Sequence, residues 1–189
     1  MLDRDAAVRL WREHNTDDSL FRHALSVEAA MRHFAKLHGE DPEYWGLVGL
    51  LHDVDYGKYP EEHLGHAREM LTTAGYPEAF IRAVESHGWG LCSEVEPVLL
   101  MEKVLYAVDE LTGFIAACAF VRPSRSVLDM EVKSVKKKWG SAAFAAGVDR
   151  SVIEKGAVML GIPLEELIQE TILALRAEAE AVGLKGSVA

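Results

Sequence analysis

Apolar residues recur along this chain three, four and seven positions apart, which is the spacing of amphipathic helices, and no segment alternates like a half-buried strand. Glycine, proline and short polar clusters interrupt this pattern. The breaks predict helices from about 3 to 14, from the 15–18 break to 36, over 41–52, 61–74 and 77–86, from 94 or 97 to 120, over 123–139, and two or three more, the last over 163–182. The pattern therefore predicts an all-α fold.

Several ionisable side chains fall on the apolar faces of these predicted helices. The inward-facing groups are His23, His52, Asp53, His63, His87 and Asp109. One inward histidine is more often structural than a ligand, but an unpaired buried carboxylate costs several kcal/mol. A divalent cation would remove that cost for the whole group, and imidazole with carboxylate is the ligand set of Fe, Mn, Ni, Co and Zn. The pattern therefore predicts a metal site.

The adjacent pair His52 and Asp53 closes a strongly apolar helix and precedes a loop over 55–60. Neighbouring side chains inside a helix diverge by about 100°, so two of them reach one ion best at a helix end. The carboxyl end of a helix also carries partial negative charge, which favours a cation. This position supports the pair as ligands.

Composition limits the function classes. The chain has 189 residues, 49% of them hydrophobic and 26% charged, which suits one domain with a substantial core. The formal net charge of -10 argues against binding a nucleic-acid polymer, which requires positive potential. A small phosphate ligand remains compatible, because a metal ion supplies local positive charge.

The sequence predicts a single domain over 1–189, with a metal-binding core over about 19–125 and a helical C-terminal extension over about 126–185. We expect no membrane segment and a soluble, cytoplasmic protein, because the start lacks an apolar signal core and the two cysteines lie far apart. A homo-oligomer is possible, because the last helix packs either on its own core or on a neighbouring subunit through Leu164, Leu167, Ile168, Ile172 and Leu175.

The order of these residues resembles the HD superfamily of metal-dependent phosphohydrolases. The resemblance covers about 19–125 and rests on a histidine on one helix, a His-Asp pair ending another and an aspartate on a later long helix: His23, His52, Asp53 and Asp109. It implies an all-α HD-domain helical bundle that binds one or two divalent metal ions (Fe, Mn, Ni, Co, Zn or Mg). It also implies that Asp53 bridges to a second metal held by His63 and His87. His66 is the second choice for the position of His63.

The chain is also partly similar to the bacterial HD enzymes that split diadenosine tetraphosphate symmetrically. This similarity lies in His87 and in the residues 100–105. The chain departs from those enzymes in the loop, where Lys58 lies further from the His-Asp pair. The ending over 126–189 is unlike a minimal HD domain. The whole resembles small uncharacterised HD hydrolases without a firm substrate.

The resemblance implies a metal-dependent phosphohydrolase that cleaves a small phosphate ester, with a nucleotide as the expected partner. The choice between a phosphomonoesterase and a phosphodiesterase stays open. Asp53 is the expected bridging catalytic residue, and Lys58, Arg122 and Arg125 are candidate phosphate contacts, unless they belong to a solvated surface.

Other residues have weaker claims to a role. Asp55 or Glu85 is a candidate general acid or base, although each also suits a helix cap or a surface carboxylate. Trp89 is the best aromatic candidate for substrate contact. The basic run Lys133, Lys136, Lys137 and Lys138 suits an anionic partner or, more simply, a solvated helix face.

Three alternatives to hydrolysis remain at this stage. A di-iron oxygenase of the HD fold would use the same six ligands. A non-catalytic sensor would keep the metal as a structural ion and bind a nucleotide or a partner. A metal-free protein would keep the histidines as a hydrogen-bonded core network.

Overall fold

A computed structural model of the protein describes residues 3–187. Within these residues the chain forms nine α-helices and one short 3-10 helix, and no β-strand. The predicted all-α fold is confirmed. The helices are α1 (Arg4–His14), α2 (Asp18–His38), α3 (Pro42–Leu51), α4 (Ala67–Thr73), α5 (Glu78–Ser86), α6 (Leu100–Phe120), α7 (Val132–Trp139), α8 (Arg150–Leu160) and α9 (Leu164–Ala177), and the 3-10 helix is Pro60–Glu62.

Short polar side chains begin the early helices where the sequence predicts. The carboxylate of Asp17 accepts the backbone N–H groups of Ser19 and Leu20, and that of Asp41 accepts those of Glu43 and Tyr44. Each cap satisfies donors that have no partner inside the helix. Helix α2 ends at His38, and the next residue, Gly39, has a φ of 72°, which glycine adopts without steric cost.

Helix α4 begins at Ala67, six residues later than the predicted start at 61. Leu64 has a φ of 66°, in the left-handed region, so a regular helix cannot run through it. His63 therefore lies in a turn between the 3-10 helix and α4, and its predicted alignment with the apolar face of a helix is wrong.

Three later boundaries also differ from the prediction. Helix α6 begins at Leu100, because the Glu102 side chain accepts the N–H groups of Val98 and Leu99 and fixes the start there. The segment after 123 is not helical until Val132, because the N–H of Val127 bonds the carbonyl of Leu184 across the chain. Helix α9 ends at Ala177 rather than 182.

Helix α2 lies at the centre of the fold and packs against α3, α6 and α9, while α8 packs along α6. One continuous hydrophobic cluster runs from α1 to the residues after α9. The apolar side chains of α9 belong to this core: Leu167, Ile168, Ile172 and Leu175 are buried, and Leu164 packs partly against it. The last helix therefore packs on its own chain.

Among residues 3–187, no helix combines the length and the hydropathy needed to cross a membrane.

Candidate metal centre

Six histidine and aspartate side chains meet where several helices end beside the middle of α6. His52 and His87 are the C-cap residues of α3 and α5, and Asp53 follows His52 directly. His23 lies on α2 and Asp109 lies on α6, the two long helices of the core. His63 reaches the same place from the turn before α4, so residues distant in sequence form one cluster.

The first part of the cluster combines two histidines and two carboxylates. The Nε2 atom of His23 lies 2.9 Å from Oδ1 of Asp109 and 3.3 Å from Nε2 of His52. His52 Nε2 lies 3.2 Å from Oδ1 of Asp109 and 3.3 Å from Oδ2 of Asp53. These short distances bring donor atoms of the four side chains together, and those of His23, His52 and Asp109 are close enough to share one ion.

The second part of the cluster shares Asp53 through its other oxygen. Oδ1 of Asp53 lies 3.3 Å from Nε2 of His63 and 3.5 Å from Nε2 of His87. These two nitrogens are 3.1 Å apart. Asp53 therefore presents one carboxylate oxygen to each part, which is the arrangement of a bridging ligand.

The backbone sets the tautomer of the two C-cap histidines. Nδ1 of His52 lies 2.7 Å from the carbonyl oxygen of Gly49, and Nδ1 of His87 lies 2.6 Å from that of Val84. A carbonyl oxygen only accepts, so each Nδ1 carries the hydrogen. In the neutral imidazoles, Nε2 then offers a lone pair to the cluster. Such a hydrogen bond behind a histidine is typical of metal ligands.

The Asp55 carboxylate accepts a hydrogen bond from Nδ1 of His63 and also caps the start of α4. Its Oδ1 accepts from Nδ1 of His63 at 3.1 Å, and its Oδ2 accepts the N–H groups of His66 and Ala67, both at 3.1 Å. The Asp55 side chain is fully buried. Burial works to raise the pKa of Asp55, but the bonds from His63 and His66 lower it. The carboxylate therefore stays charged and holds the His63 ring.

The positions of the histidine nitrogens suit the binding of a cation better than they suit hydrogen bonds between the rings. With Nδ1 protonated, the neutral His63 and His87 rings point lone pairs at each other across 3.1 Å, which is repulsive unless a cation or a proton intervenes. Among the described residues, His23 with His52 and Asp109, and His52 with Asp53 and His87, are close enough to share an ion. The donor set suits a divalent transition metal.

The same charges perturb the acid–base equilibria of the metal-free cluster. Burial works to lower the pKa of His52, but the carboxylates of Asp53 and Asp109 raise it well above its usual range. Burial works to raise the pKa of Asp53 and Asp109, but His52 lowers both. Without a metal ion, a proton on His52 would thus take the place of the cation.

A cavity of about 320 Å³ opens onto the cluster. His23, Asp53, His63, His87 and Asp109 form its floor, whereas His52 lies fully buried behind them. Gly113 also lines the cavity, and the other walls come from residues that sequence reasoning did not select: Leu20, Tyr56, Gly88, Leu91, Cys92, Glu110, Val148 and Val152. Of these, Glu110 had a signal, because it follows Asp109. The two valines, on the segment before α8 and on α8 itself, had none.

Glu110 connects the cavity with the C-terminal part of the chain. Its carboxyl group accepts the backbone N–H of Asp149 at 3.2 Å, and Asp149 caps α8. Burial, followed by the neighbouring charge of Asp109, raises the pKa of Glu110 to about 7. This bond fixes the start of α8 beside the cavity.

The cations expected to contact phosphate lie away from this cavity. Lys58 lines a different cavity, with its Nζ 5.3 Å from the centroid of the Tyr59 ring. Arg122 pairs with Asp129 at 2.7 Å, and Arg125 is an exposed residue beside Phe120. None of these three side chains lines the cavity at the candidate metal centre.

Other candidates are likewise placed elsewhere. His66 stacks on Tyr59 and bonds Glu62, and Glu85 pairs with Arg68. Trp89 does not line the cavity, and Lys155 Nζ lies 3.5 Å from its ring centroid. In the basic run, Lys133 and Lys136 pair with the carboxylates of Glu131 and Glu165.

Fold and site together define a class: an all-α protein in which histidines and aspartates from helix ends converge as a candidate divalent-metal centre. Residues 20–112 match the family model of the HD domain, and this part of the chain is an HD domain. All six converging residues lie inside the matched segment. HD domains are generally those of metal-dependent hydrolases, which agrees with this donor set. Searches of curated proteins and of solved structures gave no significant match.

Proposed function

We propose that this protein is a metal-dependent phosphohydrolase that cleaves a small phosphate ester, with nucleotides as the expected substrate class. The observation that carries the proposal is the position of Asp53. One of its oxygens faces His52 and His23, and the other faces His63 and His87. Two divalent ions at such a site would supply the Lewis acidity that activates water and neutralises phosphate oxygens.

Six side chains of the protein would hold the two metal ions. His23, His52 and Asp109 would hold one ion, His63 and His87 the other, and Asp53 both. The hydrogen bonds behind His52, His63 and His87 keep the three rings in fixed orientations. The buried position of His52 keeps water away from one side of the site.

The first test is metal content in four proteins: the natural chain, His52→Ala, His63→Ala and His66→Ala. We expect about two ions in the natural protein, about one in His63→Ala and nearly none in His52→Ala. His66→Ala is the matched control, because His66 lies three positions from His63 and bonds Glu62 outside the cavity. The expected content of this control is that of the natural protein. A natural protein that takes up no metal overturns the proposal.

The second test is turnover of phosphate monoesters and diesters by the protein loaded with Mn, Co, Ni or Mg. We expect phosphate release that EDTA abolishes and that His63→Ala reduces. Turnover that needs iron and dioxygen would instead identify an oxygenase of the same fold. A loaded protein that binds nucleotides without releasing phosphate would be a sensor. Either result overturns the proposed phosphohydrolase function.

A further inference from the structure

The side chains that line the cavity are short of positive charge. Within residues 3–187, none of them is a lysine or an arginine. Three carboxyl groups face the cavity instead, those of Asp53, Asp109 and Glu110. Attraction of a substrate phosphate would therefore depend on the metal ions alone.

Two cations from neighbouring parts of the structure are directed elsewhere. Arg22 lines a smaller cavity of about 120 Å³, which shares His23 and Gly113 with the main one. Its side chain extends along the backbone of Gly183, where an added Cβ would meet Arg22 Cδ at 3.0 Å. Lys155 is held over the ring of Trp89. Neither residue lines the main cavity.

The charges at the site match a single phosphoryl group. Two divalent ions carry four positive charges, and the two metal-holding carboxylates Asp53 and Asp109 cancel about half of them. A phosphate monoester carries about -1.5 to -2 at neutral pH, which the remainder neutralises. A second phosphoryl group would meet no cation and would lie in a cavity that contains the Glu110 carboxyl group.

The size and the walls of the cavity point to the rest of the substrate. Its volume of about 320 Å³ is near the lower end of the range for small-molecule sites, which is roughly 300–1,000 Å³. Leu20, Leu91, Val148 and Val152 give it apolar walls. Glu110 is a hydrogen-bond acceptor, so a hydroxyl or amine of the substrate suits it.

We propose that this site is specific for monophosphate esters: one phosphoryl group on a small uncharged body that carries a hydrogen-bond donor, with di- and triphosphates excluded. The inference rests on the proposed function and narrows its substrate class. Specificity would arise because no lysine or arginine among residues 3–187 lines the cavity to neutralise a second phosphoryl group. Val148 and Val152 would limit the size of the substrate body.

The test compares substrates that share a body and differ in phosphoryl groups: AMP, ADP and ATP, the uridine series, and fructose 6-phosphate with fructose 1,6-bisphosphate. Free metal concentration is held equal by a metal buffer. For any body that is turned over, we expect kcat/KM to be at least about tenfold higher for the monophosphate, because unpaired like charge is strongly disfavoured. Equal or faster hydrolysis of the polyphosphates overturns the inference and leaves the phosphohydrolase standing.

A charge variant tests the physical cause. Leu91 lines the cavity and is 61% exposed, so Leu91→Lys adds a cation at the mouth without disturbing the core. We expect it to raise the ratio of kcat/KM for the diphosphate to kcat/KM for the monophosphate by about tenfold. Val158→Lys is the matched control, since Val158 is 80% exposed and does not line the cavity. Equal effects of the two variants would refute the charge argument.

Binding of inert probes gives a readout that does not need turnover. We expect methylphosphonate to raise the melting temperature of the metal-loaded natural protein more than methylenediphosphonate does, and Leu91→Lys to reverse the order. A stronger effect of the diphosphonate on the natural protein would overturn the inference. If the probes behave as expected and no ester is cleaved, the proposed function fails while the selectivity for one phosphoryl group stands.

Discussion

At the scale of single residues, Asp53 and Asp55 divide two tasks between them. Asp53 faces the nitrogens of the candidate metal centre with both of its oxygens. Asp55 is fully buried two positions later, where it orients His63 and caps α4. One short segment after α3 therefore supplies a bridging carboxylate and the anchor of a neighbouring ring.

Replacing Asp55 tests this second task. Asp55→Ala leaves the buried N–H of Ala67 without its acceptor, which costs about 1–3 kcal/mol of unfolding free energy. It also frees the His63 ring, so metal content should fall by about one ion, as in His63→Ala. Urea unfolding of the metal-free protein and metal analysis measure the two effects. Glu61→Gln, at an exposed position, is the control, and equal stability of both variants would contradict the assigned role.

The pH dependence of the metal-free protein follows from the shifted pKa values. Asp53 and Asp109 have lowered pKa values, so their contribution to stability is present above about 3.8 and is lost as the pH falls. His52 has a raised pKa, so its contribution is complete below about 6.5 and is lost as the pH rises through the folded value. The EDTA-treated protein should therefore be most stable between these limits.

Metal loading should move this optimum upward, because the ion replaces the proton on His52 and binds best to deprotonated ligands. Urea midpoints from pH 4 to pH 9, with and without metal, measure the shift. The same pH optimum in both states would show that no ion binds at His52.

At the scale of elements, helix ends deliver the chemistry and tight helix contacts position it. The carboxyl ends of α3 and α5 place His52 and His87, while α6 contributes Asp109 from its middle. Helix α8 approaches α6 so closely that a Cβ on Gly156 would lie 2.6 Å from Cα of Ala107. This close approach brings Val152 to the cavity wall.

The contact between α6 and α8 depends on that glycine. Gly156→Ala should lower the free energy of unfolding by about 1–3 kcal/mol, because the added methyl group meets backbone rather than a flexible side chain. Gly140→Ala is the control, since a Cβ there would meet no atom within 4 Å. We expect this control within about 0.5 kcal/mol of the natural protein by urea unfolding. Similar values for both variants would disprove the close packing.

At the scale of the whole molecule, the C-terminal helices pack directly on the helices of the HD domain. Helix α9 packs on α2 and α6, and its side chains belong to the continuous core. The carbonyl of Leu184 also bonds the N–H of Val127. The part matched by the family model therefore packs on residues far outside it, and we expect its stability to depend on them.

Shortening the chain tests this dependence. A chain that ends at Arg125 should fail to unfold cooperatively, because the faces of α2 and α6 that α9 and α8 cover would be exposed. A chain that ends at Lys185 keeps the bond from Leu184 and should melt like the full chain. Circular dichroism during heating compares them. A cooperative, metal-binding shorter chain would show that the HD segment folds alone.

The sequence by itself determined the helical class and the candidate ligand set. Helical periodicity and capping are local, so the inward position of His23 and the cap at Asp41 follow from neighbouring residues. The matched family model agrees with the resemblance seen in these residues. His63 was selected for an alignment on a helix that the chain does not form there. What brings it to the cluster is its bond to Asp55.

Only the tertiary structure decided what surrounds the cluster. Val148 and Val152 reach the cavity because α8 docks on α6, a contact between distant segments that local periodicity does not encode. Lys58 and Arg122 were plausible phosphate contacts in the sequence. The residues around a cationic side chain do not tell which part of the folded protein it will face. Their places follow from how the helices pack, and this packing leaves the cavity without a cationic side chain among the described residues.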